Sequence, residues 1–401
     1  MFLLFALIFA SVSAGAHEFV YKFKVGDKYR VLATVDEDVY INRQLSYHAE
    51  IINRISMEVT GLNGEMAAIS ATFQSAERAV ELGEDGRAEG PLLFTWARDY
   101  NSVFEHDKLG YLTVDDRYYM PMVRNVPAFP DRSLEVGESW TAEGIEVHDF
   151  RDNFGIEQPY RIPFTANYTY LGERTWKGTA YPAFSVSYRV LLEPDPVSGR
   201  VYPRRILEAC DQIVYWDPVR GQAAAYEEHF RVVMELSDGQ TIEYRGTSEA
   251  EVIEAPPMDR EDMAREITEE ILSLNIPDVS VRITDEGIVI SLENIQFAPD
   301  SAVLRPEERL KLDKLAEILL RYPSRDILVG GHTALAGTAE GRMQLSLERA
   351  GSVAEYLLGK NVRTPERVVI RGYGAERPIA DNRTLEGMDR NRRVEITILE
   401  N

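Results

Sequence analysis

Cysteine is all but absent from this 401-residue chain, where Cys210 stands alone. One thiol cannot form an internal disulfide, and Cys210 lies inside the strand-like run Ile206 to Trp216, so it offers no lipid acceptor at an amino terminus. No histidine or basic pair flanks it, and it reads as a small buried hydrophobe rather than a reactive thiol. Histidine is scarce as well: His17, His48, His106, His148, His229 and His332 are scattered singly, with no pair at metal-ligand spacing. No metal centre and no cofactor are therefore expected. Phosphate loops and nucleophile elbows are missing, Val197-Ser198-Gly199 being turn chemistry. The acidic runs Asp36-Glu37-Asp38 and Asp115-Asp116 read as solvated turns, since a calcium site wants about six or more oxygens in a definite loop. With no catalytic constellation, the chain is read as not being an enzyme.

Positive charge is also in deficit, with 44 Lys plus Arg against 66 Asp plus Glu and a net charge of −22. From Pro277 onward there are 18 against 20, which leaves 26 against 46 before it, so the acidity belongs to the front. Such a surface repels phosphates and argues against a nucleic-acid partner. The only long apolar run is Met1 to Ala10, followed by small residues at Val12-Ser13-Ala14 and Ala14-Gly15-Ala16. Residues 1–16 are read as a cleaved export signal rather than a retained anchor, because about 20 apolar residues are needed to span a bilayer.

What remains is 44% hydrophobic and long enough for two or three domains. Residues 17–255 alternate with period two between turn signals, the pattern of antiparallel β structure. The clearest hairpin places Phe230, Val232, Met234 and Leu236 on one face, with Asp238-Gly239 in the turn. Lys24-Val25-Gly26-Asp27-Lys28-Tyr29 reappears as Glu135-Val136-Gly137-Glu138-Ser139-Trp140, each followed by similar strand pairs. Two β domains, 17–130 and 131–255, are expected, with the break at Val126 to Pro130; one large sandwich is the alternative. A linker, 256–276, opens on Pro256-Pro257 and carries a helix over Asp259 to Leu274 with Met263, Ile267, Ile271 and Leu274 on its apolar stripe. From 277 to 401 strands and helices alternate. Strands are expected at Gly287 to Glu293, Ile327 to Gly331, Val368 to Gly372 and Arg393 to Leu399, and helices from Pro306 and over Arg342 to Leu358. That order implies crossovers and a mixed sheet with packed helices.

Four motifs stand out in this last stretch. They are Gly331-His332-Thr333, Leu345-Ser346-Leu347-Glu348-Arg349-Ala350, the run Gly372 to Asn382 containing Gly374-Ala375-Glu376-Arg377-Pro378, and Asn391-Arg392-Arg393-Val394-Glu395-Ile396. Their order and spacing resemble the OmpA-like peptidoglycan-associating domain family over about 120 residues. The fold class is thus multidomain: a β-rich N-terminal unit, sandwich or barrel-like and in tandem, then an α/β OmpA-like domain.

The resemblance implies a zwitterion clamp, in which an Asp after the Thr holds the ammonium of the peptidoglycan diamino acid and an Arg on the next helix holds its carboxylate. Thr333 and Arg349 match, Arg392 is a further candidate, and three positions depart. Ala298 stands where the family has an acid, Ala334 replaces the clamp Asp, and Arg342 replaces a usual Asn. The ligand-binding candidates are Thr333, Arg342, Arg349 and Arg392, with conventional diaminopimelate binding weakened or lost. The expectation is an exported structural or adaptor protein, periplasmic or associated with the outer membrane or cell wall. Its C-terminal domain would face peptidoglycan or another envelope component, and the β unit a protein partner of unknown identity. The alternative is a peptidoglycan anchor whose residues 17–255 form a transmembrane β-barrel.

Overall fold

The computed structural model describes residues 16–82, 88–89, 93–253, 258–293, 295, 297 and 301–400. The expected export signal, apart from Ala16, the Pro256-Pro257 break and Ala298 lie outside the described residues. Among those described, no helix is long and apolar enough to cross a membrane.

The N-terminal region is a meander of long strands. Its first part holds β1 (Lys28–Ile41), β2 (Gln44–Asn63), β3 (Met66–Leu82), the short β4 (Ala88–Glu89), β5 (Phe94–His106), β6 (Leu112–Val114) and β7 (Val123–Arg124). Its second part holds β8 (Ser139–Phe150), a one-turn helix α1 (Arg151–Phe154), β9 (Ile156–Trp176), β10 (Thr179–Leu192), β11 (Pro203–Asp217), β12 (Gln222–Leu236) and β13 (Thr241–Ile253). The β12–β13 hairpin turns at Asp238-Gly239, where Gly239 takes φ +94°. All neighbours pair antiparallel in the order β6-β5-β3-β2-β1-β13-β12-β11-β10-β9-β8-β7. The ladder from Arg30↔Ile253 to Ile41↔Ile242 joins β1 directly to β13, across the boundary expected at Pro130. Among the described residues no pairing links the two ends, so the sheet is open and does not indicate a barrel.

The two repeated segments take the same turn. Gly26 and Gly137 both take positive φ, and both donate their N–H across the sheet, to Val59 O and Tyr170 O, at 2.8 Å each. The return bonds run from Val59 N–H to Asp27 O (3.0 Å) and from Tyr170 N–H to Glu138 O (2.9 Å). Asp27 and Glu138 each accept from the backbone N–H three residues earlier, Lys24 and Glu135. Register shifts then fall before Gly61 in β2 and before Gly172 in β9. One constant offset separates all these pairs, so the same turn and the same bulge shape both halves.

The sheet curls. Three strand spacings in a flat sheet would separate β8 from β11 by about 14 Å, yet carboxylate and imidazole atoms of Glu146, His148 and Glu208 on these strands lie within 4.8 Å of one another. The concave floor carries an aromatic cluster at one end (Phe19, Phe129, Trp140, Tyr168, Phe184, Trp216) and a smaller apolar group at the other (Phe150, Ile206, Met234, Leu236). Phe19 lies over the floor, 5.2 Å from Phe184 and 6.1 Å from Trp216. Cys210 is fully buried here, and burial pushes its thiol up from its ordinary value.

The helix expected in the linker, α2 (Arg260–Ser273), packs through Ile267 and Ile271 into the core of the C-terminal region instead of standing apart from it, and is capped by Asp259, whose side chain accepts from Asp262 N–H. The chain continues through β14 (Val279–Thr284), β15 (Gly287–Glu293), α3 (Pro306–Leu319), β16 (Ile327–Gly331), α4 (Ala339–Gly359), β17 (Val368–Gly372), α5 (Leu385–Asn391) and β18 (Arg393–Leu399). α4 begins about one turn earlier than its apolar stripe predicts, because Thr338 caps it by accepting from Gly341 N–H at 3.1 Å. The mixed sheet runs β14-β15-β18-β16-β17, parallel only between β16 and β17. The three long helices cover one face, with Ile267, Leu315, Ala354, Val329, Ile396 and their neighbours forming the core.

The other face of this sheet docks on the β unit. Leu328, Val369 and Leu399 share a buried cluster with Ile52, Ala76, Phe94 and Trp96, and β17 pairs parallel with the start of β5 through Val369↔Phe94 and Ile370↔Thr95. Arg371 Nη1 donates to Asp99 Oδ2 across the join at 2.9 Å. All seven residues of β18 are buried.

Candidate functional site

β16 and β17 are parallel, so the loops that follow them emerge at the same edge, the edge at which open α/β sheets bind ligands. Two glycines bring α4 close enough to frame it. A Cβ on Gly331 would overlap the Ser346 carbonyl, and one on Gly372 would stand 2.8 Å from both Met343 O and Ser346 Oγ. Ser346 is itself fully buried; its hydroxyl donates to Met343 O (2.7 Å) and accepts from Gly374 N–H (2.9 Å). The Gly-His-Thr, Leu-Ser and Gly-Tyr-Gly motifs are thus one packing device that seats a helix on two strand ends.

The loops are then laced together. Thr333 N–H donates to Gly374 O (2.8 Å) and Tyr373 N–H to Gly331 O (2.9 Å). Asn391, fully buried, accepts from Ile379 and Ala380 N–H and donates to Ala380 O and Asn382 Oδ1, all between 2.8 and 3.1 Å. Asn382 Oδ1 in turn accepts from Leu335 N–H at 3.1 Å. Sequence reading matched Asn391 to the family pattern without seeing that it ties one loop to the other.

Of the candidate ligand residues, Thr333 and Ala334 sit buried side by side in the first loop, and Thr333 Oγ1 has no hydrogen-bond partner among the described residues. Arg342 reaches back to the same loop and donates to Gly337 O at 2.5 Å. Arg349, further along α4, lies over the Phe297 ring at 4.9 Å. Arg392 caps the end of α5, about half-exposed, and pairs with Asp389. The structure therefore brings Thr333, Ala334 and Arg342 to one loop, sets Arg349 against Phe297, and engages Arg392 within its own helix.

The buried arginine of the Asn-Arg-Arg motif is Arg393. Its Nε donates to Glu395 Oε1 (2.7 Å) and its Nη2 to Arg377 O (3.0 Å), while Arg282 Nη2 donates to Glu395 Oε2 (2.6 Å). His332 stacks on Tyr373 with ring centres 4.8 Å apart, and burial lowers its pKa against the raising effect of Glu395. Arg393 and Glu395 stand two apart on one strand and so share a face, the sequence signal that could have found this pair.

Comparison with known proteins places these motifs. Residues 296–392 match the OmpA family. The chain is 38% identical over 121 residues to "Probable lipoprotein YiaD" of Escherichia coli, covering 30% of this chain and 55% of that protein. It is 42% identical over 103 residues to "Outer membrane protein A" of Bordetella avium, covering 26% and 53%. It is 36% identical over 104 residues to "Peptidoglycan-binding protein ArfA" of Mycobacterium tuberculosis, covering 26% and 32%. The match spans about half the length of the first two and a third of the last, and no family match accompanies the β unit. Residues 296–392, which carry α3, β16, α4, β17 and α5, form a domain of the OmpA family.

Proposed function

We propose that this protein is a non-enzymatic adaptor of the cell envelope, exported to the periplasm or outer membrane, whose OmpA-family domain faces peptidoglycan while the β unit holds another envelope component. The carrying observation is that the family domain is docked through a buried sheet face and a strand pairing, so a load taken by either unit passes to the other. The mycobacterial relative is named for binding peptidoglycan, which supports the same ligand class here. In the β unit we propose two structurally related halves, 17–130 and 131–255, acting as one body.

The diamino-acid clamp is altered. A methyl group at Ala334 leaves no carboxylate after Thr333, and a hydrogen bond to a charged group contributes roughly 1.5–3 kcal/mol, so an ammonium should bind about tenfold to a hundredfold more weakly. Arg349 keeps the carboxylate half of the clamp, and Arg342 adds positive charge at the loop that carries Thr333 and Ala334. Such a site favours a carboxylate without a neighbouring ammonium. Co-sedimentation of the purified chain with peptidoglycan sacculi tests the assignment: weak, salt-sensitive retention is expected. Retention no greater than that of an unrelated acidic protein would remove peptidoglycan as the ligand.

A further inference from the structure

A polar island interrupts the apolar floor of the β unit. Glu146 and His148 stand two residues apart on β8 and project to the same side, while Glu208 reaches them from β11. His148 Nε2 lies 3.0 Å from Glu146 Oε2. The other oxygen, Glu146 Oε1, is buried with no hydrogen-bond partner, and the residue is only 1% exposed. Beside them Cys210 Sγ donates to Glu228 Oε1 at 3.0 Å, so a further carboxylate faces the group from β12. Among the described residues no lysine or arginine forms an ion pair with Glu146, Glu208 or Glu228.

A buried carboxylate without a cation is costly, and a second one next to it more so. Proteins resolve such a group in two ways: by sharing a proton between the carboxyls, or by holding a metal ion. The donor set favours the metal. One imidazole nitrogen with two carboxylate oxygens suits zinc-like divalent ions, whereas calcium wants an all-oxygen shell of about six to eight donors.

We propose that Glu146, His148 and Glu208 form a binding site for a divalent transition-metal ion of the zinc type. The unpartnered Glu146 Oε1 is the second observation behind it, beyond the clustering of the three side chains. The ion supplies the missing countercharge and ties β8 to β11 across the two strands between them, fixing the curl of the second half of the sheet. His148, with its side chain 14% exposed, gives the ion its entry.

The test uses the purified chain, stripped with a chelator and titrated with zinc ions by calorimetry, with thermal unfolding recorded before and after. One zinc per chain and a raised unfolding temperature are expected, and no rise with calcium at the same concentration. His148→Ala should weaken zinc binding by about tenfold or more, while His229→Ala, at an exposed position on β12, should leave it unchanged. Should His148→Ala fail to fold, Glu208→Gln keeps the shape without the charge and should lose the zinc just the same. Absence of stoichiometric zinc, zinc without a thermal shift, or equal zinc binding in these variants would overturn the proposal in favour of a proton-sharing carboxyl pair.

Discussion

Arg54 of the β unit and Asp326 of the OmpA-family domain meet in a buried, forked contact: Nε and Nη2 both donate to Asp326 Oδ2 at 3.1 Å. Asp326 accepts from Arg367 Nε at its other oxygen, at 2.7 Å. Arg54 also reaches Glu366 O at 3.2 Å. The carboxylate is therefore the shared partner of two cations, one from each unit.

That sharing predicts an asymmetry. Asp326→Ala leaves both guanidinium groups without their carboxylate and should cost about 3–5 kcal/mol. Arg54→Met leaves Asp326 paired with Arg367 and should cost markedly less. Urea unfolding of the two variants checks the order, and equal losses would mean that Arg367 does not hold Asp326 alone.

Removing the C-terminal domain should leave a folded β unit. A chain of residues 17–255 keeps the aromatic floor and the β1–β13 ladder, and should unfold cooperatively, with Phe94 and Trp96 newly exposed. A chain of residues 17–130 loses that ladder and is expected not to fold alone. Circular dichroism melts distinguish the outcomes, and a cooperative melt of 17–130 would show that its half needs no partner strand.

Much of this architecture was legible locally. The Asp238-Gly239 turn, the Asp259 cap and the strands at 287–293, 327–331, 368–372 and 393–399 follow from turn chemistry, capping and alternation. What escaped was set over long distances. β1 takes β13 as a neighbour although nothing local to either strand specifies it. Arg392 and Arg393 fall on opposite faces of the last strand, and nothing local to the Asn-Arg-Arg motif says that Arg393 is the buried one. Glu146 and His148 are visibly two apart, yet only the curl of the sheet brings Glu208 to them.

Glu37 on β1 carries a pH dependence. Burial, then Glu77, pushes its carboxyl up to about 7, against the lowering effect of His48, and Tyr47 and Tyr244 also face it. A raised folded-state pKa means that its stabilising contribution is full below the ordinary value of 4.5 and is lost as pH rises through about 7. Glu37→Gln should therefore match the parent chain near pH 4 and be more stable at pH 8, by on the order of 2 kcal/mol. Melts across that range check it, and a constant difference would place the ionised carboxylate in water.

Gly331 and Gly359 make a matched pair within the framing helix and strand. Gly331→Ala forces α4 off β16 and should cost about 1–3 kcal/mol or more. At Gly359 a Cβ would meet only open space, so Gly359→Ala should gain stability, by about 0.4–1 kcal/mol. Chemical unfolding of both variants checks the contrast, and a neutral Gly331→Ala would mean that the strand ends and α4 have room to separate.

The proposed loss of the clamp's ammonium half is tested most directly by calorimetry of diaminopimelate binding to the intact chain and to Ala334→Asp. Weak or undetectable binding by the parent chain is expected, with a gain of roughly 1–3 kcal/mol when the acid is restored. Tight binding by the parent chain would contradict the loss of the ammonium half, and no gain from Ala334→Asp would contradict the retention of the carboxylate half.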